Sequence, residues 1–229
     1  MKNSIVLNET QVYKLVLLAG IFFTALLVSN VISAKLFDIG GIVLTAGILM
    51  YPLTFLISDA IAEVYGKSIA KRVIIIGLVM NVLMIGFFYL AITLPPAGYW
   101  PMQGEFEAIL GAVPRMVAAS LIAYFISQMF DVNLFHKLKE KTQGKHLWLR
   151  NNGSTMASQL IDSTIFVFIA FYGVMPLSAL FTMIGTQYLV KLAIAAADTP
   201  FIYLTVKWLK GDSNKSTNNS NKEAVPNVS

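Results

Sequence analysis

Residues 13–34, YKLVLLAGIFFTALLVSNVISA, are predominantly apolar over the length of a membrane span. A helix needs about 20 predominantly apolar residues to cross the hydrocarbon core of a bilayer. Five further apolar segments of similar length follow, at about 40–62, 72–94, 108–130, 155–173 and 176–208. The pattern predicts an all-α membrane protein, a compact bundle of six transmembrane helices.

The composition agrees with this class of protein. Hydrophobic residues make up 56% of the 229 residues and charged residues 13%, which leaves too little polar surface to cover a soluble domain of this size. The chain contains no cysteine, so it has neither a disulfide framework nor a thiolate metal site. We expect a cytoplasmic lead at 1–11, a transmembrane domain at 12–210 and a disordered polar tail at 211–229.

The distribution of basic residues predicts the orientation in the membrane. With six spans, fourteen of the 17 Lys and Arg residues flank the membrane on one side, whereas the opposite side has no Lys or Arg in loop 95–107 and an uncharged turn at 172–177. The positive-inside rule therefore places both termini in the cytoplasm. Because the basic loop at 137–145 is a topology signal beside anionic lipid, we expect no binding of nucleic acid.

Two spans have irregular features. The fourth is interrupted early by Pro114 and Arg115, so its beginning is hard to place from the sequence. The sixth is too long for a perpendicular span, and it must tilt, bend near Pro200 or extend into the cytoplasm.

Acidic and amide side chains occur inside or at the ends of the apolar segments. A charge at mid-membrane costs at least roughly 2.5–3.5 kcal/mol on insertion scales, so such residues usually pair, line a wet cavity or serve a substrate path. The acids and amides are Asp59, Glu63, Gln128, Asp131, Gln159, Asp162 and Asp198. Three cations accompany them, Lys35, Arg115 and Lys191, and Lys35 lies close in the sequence to a further amide, Asn30.

Three interpretations of these residues stay open. Glu63, Asp131 and Lys35 are placed where they can snorkel to the interface. Lys191 can form a structural salt bridge with Asp162 or Asp198. The third interpretation is a cavity whose carboxylates and amides bind a ligand, and their donors and acceptors suit a heterocycle edge or an amine better than an anion.

No catalytic set accompanies these residues. His136 and His146 lie ten residues apart in the basic loop without metal-ligand spacing, so we expect no metal site. The chain has no Gly-x-x-x-x-Gly-Lys-Ser/Thr phosphate loop, which excludes ATP hydrolysis by that route. Ser158 near Asp162 lacks a histidine base. The sequence therefore predicts a protein that is not an enzyme.

One short pattern occurs twice, as Ser127-Gln128-x-x-Asp131 and as Ser158-Gln159-x-x-Asp162. On a helix, residues i and i+4 share a face, so Ser, Gln and Asp of each copy project together. The two copies fall on antiparallel helices and are therefore not related by translation. Duplication and chance both remain open as the origin of the pattern.

These segments resemble the queuosine-precursor transporters, and the likeness covers about residues 12–208. It rests on the following: Ser29-Asn30-Val31 with Lys35; Tyr51-Pro52-Leu53-Thr54-Phe55 leading to Asp59 and Glu63-Val64-Tyr65-Gly66; Arg115 with Ala119-Ser120; the first copy of the repeated pattern; and Trp148-Leu149-Arg150-Asn151-Asn152 leading to the second.

The resemblance implies a six-helix protein of the bacterial inner membrane, distantly similar to the substrate-binding components of energy-coupling-factor vitamin importers. It implies uptake of 7-cyano-7-deazaguanine and 7-aminomethyl-7-deazaguanine for queuosine in transfer RNA, by a secondary transporter without a cofactor. Its partners are then the small-molecule deazaguanine and the lipid bilayer. A homo-oligomer and a monomer both stay open.

A deazaguanine has a donor edge and a carbonyl acceptor, which suit the polar residues of the spans. Asp59, Glu63 or Asp162 can accept from the donor edge; Asn30, Gln128, Gln159 or Lys191 can serve the carbonyl; and Tyr51, Phe55 or Trp148 can stack. We expect helices 1, 2, 4, 5 and 6 to enclose the site. The predicted site residues are Asn30, Asp59, Glu63, Arg115, Gln128, Asp131, Gln159, Asp162 and Lys191.

Two rival functions remain at this point. The first is a vitamin-type binding component that needs a separate ATPase module. The second is a membrane enzyme or a structural subunit of an assembly.

Overall fold

The computed structural model describes residues 8–141 and 147–211. Its helices are α1 (Glu9–Ile32), α2 (Tyr51–Tyr65), α3 (Lys67–Thr93), α4 (Gln103–Lys141), α5 (Leu147–Phe171) and α6 (Leu177–Gly211); a hairpin of β1 (Leu36–Ile39) and β2 (Ile42–Thr45) and a 3-10 helix (Ala46–Met50) join α1 to α2. Six helical segments are long and apolar enough to cross a membrane, which confirms the all-α membrane class and the number of spans.

The start of α1 is fixed by a reciprocal cap. The side chain of Asn8 accepts a hydrogen bond from the backbone N–H of Gln11 at 2.8 Å, and the Gln11 side chain accepts from the backbone N–H of Asn8 at 3.0 Å. This capping box satisfies two N–H groups that have no partner within the helix. The described chain therefore enters α1 at Glu9, a few residues before the first predicted span.

The predicted span at 40–62 is wrong at its beginning. Gly40 and Gly41 have φ of 63° and 87° and form a two-residue turn between β1 and β2, which pair in antiparallel register. Such a turn needs positive φ at both positions, which glycine adopts without strain. The apolar residues after the turn form β2 and the 3-10 helix, and α2 begins only at Tyr51 with Pro52 in its first turn.

The hairpin and the 3-10 helix pack tightly against the end of α1. Ser29 Oγ donates to the Gly47 carbonyl at 3.1 Å, and the backbone N–H of Ala46 donates to the Lys35 carbonyl at 2.9 Å. A Cβ added at Gly47 would overlap Ser33 Oγ and lie 2.8 Å from the Ser29 carbonyl. Glycine is therefore required here by close approach of the backbone.

The two irregular spans are each a continuous helix. α4 begins at Gln103 and runs through Pro114, so the predicted interruption at Pro114 and Arg115 is wrong. Proline is tolerated in membrane helices because neighbouring groups satisfy the freed carbonyl. α6 runs without a break through Pro200 for 35 residues, or about 52 Å at 1.5 Å per residue, which exceeds the roughly 30 Å hydrocarbon thickness.

Two apolar clusters hold the bundle at its two ends. We call the end with β1, β2 and the α5–α6 turn the hairpin end, and the end with the first residues of α1 and the last of α6 the terminal end. The first cluster joins α4, α5 and α6 toward the hairpin end and includes Met116, Val167 and Leu180. The second joins α1, α2 and α3 with Leu209 of α6 toward the terminal end. Several polar residues of the spans, among them Asn30, Asp162 and Lys191, line a cavity that touches both clusters.

The terminal end is tied together by polar contacts. The buried Lys14 donates from Nζ to the Trp208 carbonyl at 2.8 Å, and its charge lies 4.6 Å from the centre of the Trp208 ring. Because Trp208 is near the last turn of α6, this cation also meets the negative end of the helix dipole. Tyr65 donates to the Gln11 carbonyl at 3.0 Å. These contacts join the beginning of α1 to the ends of α2 and α6.

Candidate functional site

A cavity of about 410 Å³ lies inside the bundle between the two apolar clusters. All six helices line it, together with Thr45 of β2 and Gly47 and Ile48 of the 3-10 helix. α3 contributes an apolar wall of Ala70, Ile74 and Leu78, which the prediction of five enclosing helices omitted. The volume is within the range of roughly 300–1,000 Å³ that is usual for small-molecule sites.

Six of the nine predicted site residues line this cavity. They are far apart in the sequence, and packing of five helices brings them together: Asn30 of α1, Asp59 of α2, Gln128 of α4, Gln159 and Asp162 of α5, and Lys191 of α6.

α2 presents one face to the cavity. Tyr51, Thr54, Phe55, Ser58, Asp59 and Ala62 recur at the three- and four-residue spacing of a helical stripe. The rings of Tyr51 and Phe55 have centroids 4.3 Å apart and an interplanar angle of 36°. This pair gives the cavity an aromatic wall at the hairpin end of α2, against which a flat ligand can stack.

An ion pair joins α5 and α6 at the cavity. Lys191 Nζ lies 2.6 Å from Asp162 Oδ2, and the two side chains are 6% and 22% exposed. Ser127 of α4 donates to Asp162 Oδ1 at 3.4 Å, and the Lys191 charge lies 5.4 Å from the centre of the Tyr51 ring. Of the two pairings of Lys191 left open by the sequence, the structure shows the one with Asp162; the Asp198 side chain lies outside the described residues.

Gln159 is oriented by the same tyrosine. Tyr51 donates from its hydroxyl to Gln159 Oε1 at 3.1 Å. Tyr51 therefore contacts Gln159 of α5 through its hydroxyl and Lys191 of α6 through its ring face. α2, α5 and α6 are linked at this point by side chains that also line the cavity.

A second polar group joins α1, α3 and α4. Asn30 Nδ2 donates to Asn81 Oδ1 at 2.8 Å, and Ser120 donates to Asn30 Oδ1 at 3.4 Å. Asn81 is 1% exposed and was not among the predicted site residues. Its signal in the sequence was an amide alone in the middle of an apolar span, where a polar group needs a partner within the protein.

The repeated Ser-Gln-x-x-Asp pattern pairs with itself across α4 and α5. Ser127 of the first copy donates to Asp162 of the second, and Ser158 of the second donates to Asp131 of the first, both at 3.4 Å. The two copies therefore face each other in antiparallel helices. Their surroundings differ, since Asp162 lines the cavity and pairs with Lys191, whereas Asp131 is outside the cavity lining.

Three predicted site residues are placed away from the cavity lining. Glu63 is exposed near the terminal end of α2, and Asp131 is bonded to Ser158 beside the cavity. The exposed Arg115 donates to the Ile169 carbonyl at 2.7 Å and to the Tyr172 carbonyl at 2.6 Å. A guanidinium that bonds the last carbonyls of α5 stabilises that helix end and its dipole.

Several cavity residues were not predicted. Ser29 and Ser120 were named only among the residues that carry the family resemblance, and Ser33 and Gln187 were not among the predicted site residues. Gln187 is 5% exposed and lines the cavity one turn before Lys191. His146 lies outside the described residues, as does the side chain of Trp148, so the predicted stacking by Trp148 remains a prediction.

The fold and the cavity define a class: a multi-pass membrane protein with a cavity that is lined by all six described helices and contains an ion pair. Comparison with known proteins gives the family. Residues 45–205 match the family described as "Putative vitamin uptake transporter", and the chain belongs to this family.

Curated relatives carry a more specific name. The chain is 31% identical over 190 residues, 82% of each chain, to the "Probable queuosine precursor transporter" of Bacillus subtilis. It is 28% identical over 172 residues, 73% of each chain, to the "Queuosine precursor transporter" of Escherichia coli. No solved structure matches the chain. These similarities confirm the resemblance inferred from the sequence, and they identify a transporter rather than an enzyme.

Proposed function

We propose that this protein imports queuosine precursors, 7-cyano-7-deazaguanine and 7-aminomethyl-7-deazaguanine, across the bacterial inner membrane as a secondary transporter. The observation that carries the proposal is the cavity, in which a stacking pair, an ion pair and several amides converge. The names of the relatives point to queuosine precursors among flat polar ligands, and the resemblance described above implies that these precursors are the two deazaguanines. The basic flanks support an orientation with both termini in the cytoplasm.

The chemistry of the cavity suits a purine-like base. Its aromatic wall offers a stacking surface for a flat ring, and Lys191 and the amide of Gln128 offer donors for a carbonyl. The Lys191 charge is neutralised by Asp162, and the other charged residue of the lining, Asp59, is an acid. An anionic substrate would therefore find no net positive site among the described cavity residues.

The position of the cavity suits alternating access. The cavity lies against two separate apolar clusters, one of α4, α5 and α6 and one of α1, α2 and α3 with Leu209. Loosening of one cluster while the other stays packed is a way in which such a bundle can open toward one face at a time. This chain has no phosphate loop, so a transporter made of this chain alone would draw its energy from an ion gradient or from the substrate gradient.

The test is uptake of labelled 7-cyano-7-deazaguanine by proteoliposomes that contain only this purified chain, with and without a pH gradient. We expect uptake by the wild type and a loss of at least tenfold for Asp162→Asn, because the substitution breaks the ion pair at the cavity. Glu105→Gln is the matched control, since it makes the same chemical change on an exposed residue outside the cavity.

The outcomes separate the rival functions. Ligand binding without uptake by the chain alone would overturn secondary transport and favour a binding component that needs an ATPase module. Absence of both binding and uptake for the wild type would overturn the proposed substrate. Equal uptake by Asp162→Asn and Glu105→Gln would show that transport does not use this cavity.

A further inference from the structure

Gln187 is distinguished by an amide oxygen without a partner. The residue is 5% exposed, lines the cavity from α6, and its Oε1 accepts no hydrogen bond from the described part of the chain. Buried polar atoms in folded proteins nearly always have a partner, so an exception requires an explanation. Gln187 lines the cavity, so a ligand bound there can supply this partner when the amide turns toward it.

Other acceptors around the ion pair are already engaged. Gln159 Oε1 accepts from the Tyr51 hydroxyl, and both carboxylate oxygens of Asp162 accept, one from Lys191 and one from Ser127. Each of these oxygens can accept a ligand donor only in addition to the protein donor that it already has. Gln187 Oε1 has no protein donor in the described part of the chain. It is therefore the acceptor on this side of the cavity that is best prepared for a ligand N–H.

Gln187 and Lys191 also form a complementary pair on α6. They are four residues apart and share one face of the helix, with an amide acceptor toward the hairpin end and a cationic donor one turn further. A guanine-type base presents a carbonyl beside N–H donors along one edge. The two side chains match that edge in type, with Lys191 for the carbonyl and Gln187 for a donor.

We propose that Gln187 is a specificity-determining residue whose Oε1 accepts a hydrogen bond from the exocyclic amine of the bound base. The inference rests on the proposed function and deepens it, because it assigns recognition of the donor edge to Gln187 rather than to Asp162. Asp162 then acts as a positioning residue, which holds Lys191 where it meets the ligand carbonyl. The site selects 2-amino heterocycles over analogues that lack the amine.

The test compares two ligands and a small set of variants. Binding of 7-cyano-7-deazaguanine and of 7-cyano-7-deazahypoxanthine, which lacks the exocyclic amine, is measured by calorimetry on the purified full chain in detergent. For the wild type we expect the amine to strengthen binding at least about tenfold, the effect of one hydrogen bond to an otherwise unpaired buried acceptor. For Gln187→Leu we expect this preference to fall to about twofold or less.

Three further variants separate recognition from structure. Gln187→Glu keeps an acceptor oxygen and is expected to keep the preference for the amine. Asp162→Asn is expected to weaken both ligands by the same factor, because both carry the carbonyl. Ser163→Ala is the matched control: Ser163 Oγ is also buried without a partner in the described residues, but it is not part of the cavity lining, and neither affinity should change.

The inference is overturned if Gln187→Leu retains the wild-type preference or weakens both ligands equally. Failure of the proposed function gives a different result, since the wild type would then bind neither deazapurine. If Gln187→Leu does not fold, Gln187→Asn takes its place as the test. Its side chain is one methylene shorter, so the amide is drawn back from the ligand, and the preference for the ligand with the amine must fall. A wild type that binds both ligands with equal affinity also contradicts the inference.

Discussion

Breaking the ion pair at the cavity should destabilise the protein more than removing the whole pair. In Asp162→Asn, the charge of Lys191 stays 94% buried without its counter-charge, because its side chain is 6% exposed. Removing one partner of a buried pair costs roughly 3–5 kcal/mol. Since Asp162 is 22% exposed on the cavity and the amide keeps one acceptor, we expect a value of about 3 kcal/mol.

The assay is thermal unfolding of the purified protein in detergent. For a chain of this length, 1 kcal/mol corresponds to about 2–4 °C, so Asp162→Asn should lower the Tm by about 6–12 °C. The double variant Asp162→Asn with Lys191→Met removes the unpaired cation and should recover at least half of this loss. Glu105→Gln should leave the Tm unchanged.

Two results would refute this reasoning. If Asp162→Asn unfolds at the wild-type temperature, the pair contributes nothing to stability. The second concerns the double variant. If Lys191→Met lowers the Tm of Asp162→Asn by as much as it lowers the Tm of the wild type, the two residues act independently despite their separation of 2.6 Å.

Three further predictions follow from contacts elsewhere in the bundle. Gly47→Ala should lower the unfolding free energy by about 1–3 kcal/mol, because the added methyl group overlaps Ser33 and the Ser29 carbonyl. Gly20→Ala is the control and should leave the unfolding free energy unchanged, since its Cβ would have open space around it. Equal thermal stability of the two variants would contradict the prediction. Arg115→Gln should lower the unfolding free energy by roughly 1.5–3 kcal/mol, because charged hydrogen bonds at the end of α5 are lost. The affinity for a deazaguanine, measured by calorimetry, should stay the same. A selective loss of affinity would place Arg115 in the site. Tyr51→Phe keeps the ring and removes the hydroxyl that donates to Gln159. We expect about fivefold to tenfold weaker binding of the deazaguanine in the same calorimetry, with little change in Tm. Unchanged affinity would show that binding does not need this hydrogen bond.

The sequence predicted the architecture because its dominant signal is length. Six apolar segments of membrane-spanning length and a one-sided distribution of basic residues are visible without knowing any contact. Length alone could not separate strand from helix around residue 42. The turn at Gly40 and Gly41 and the strand β2 were therefore assigned to the second span. Its turn glycines were the signal that was missed.

The faces of the helices were harder to predict than their number. In a soluble protein an apolar stripe marks the buried face, but a membrane helix is apolar both toward lipid and toward its neighbours. Glu63 and Asp59 are one turn apart on α2, yet only Asp59 lines the cavity. Gln187 was not among the predicted site residues, because the absence of a hydrogen-bond partner is visible only in three dimensions.

The central claim is that a deazaguanine binds inside the bundle in the cavity described above. The chain has no cysteine, so a single introduced thiol reports on one position without background. Ser120→Cys places the thiol on the cavity wall, and Ser68→Cys places it on an exposed residue beyond α2, outside the cavity lining.

The most direct measurement is the rate of labelling of each thiol by a small maleimide, with and without 7-cyano-7-deazaguanine at ten times its Kd. We expect the ligand to slow labelling of Ser120→Cys about tenfold, because it occupies the cavity, and to leave the rate at Ser68→Cys unchanged. Equal labelling of Ser120→Cys with and without bound ligand would contradict the central claim.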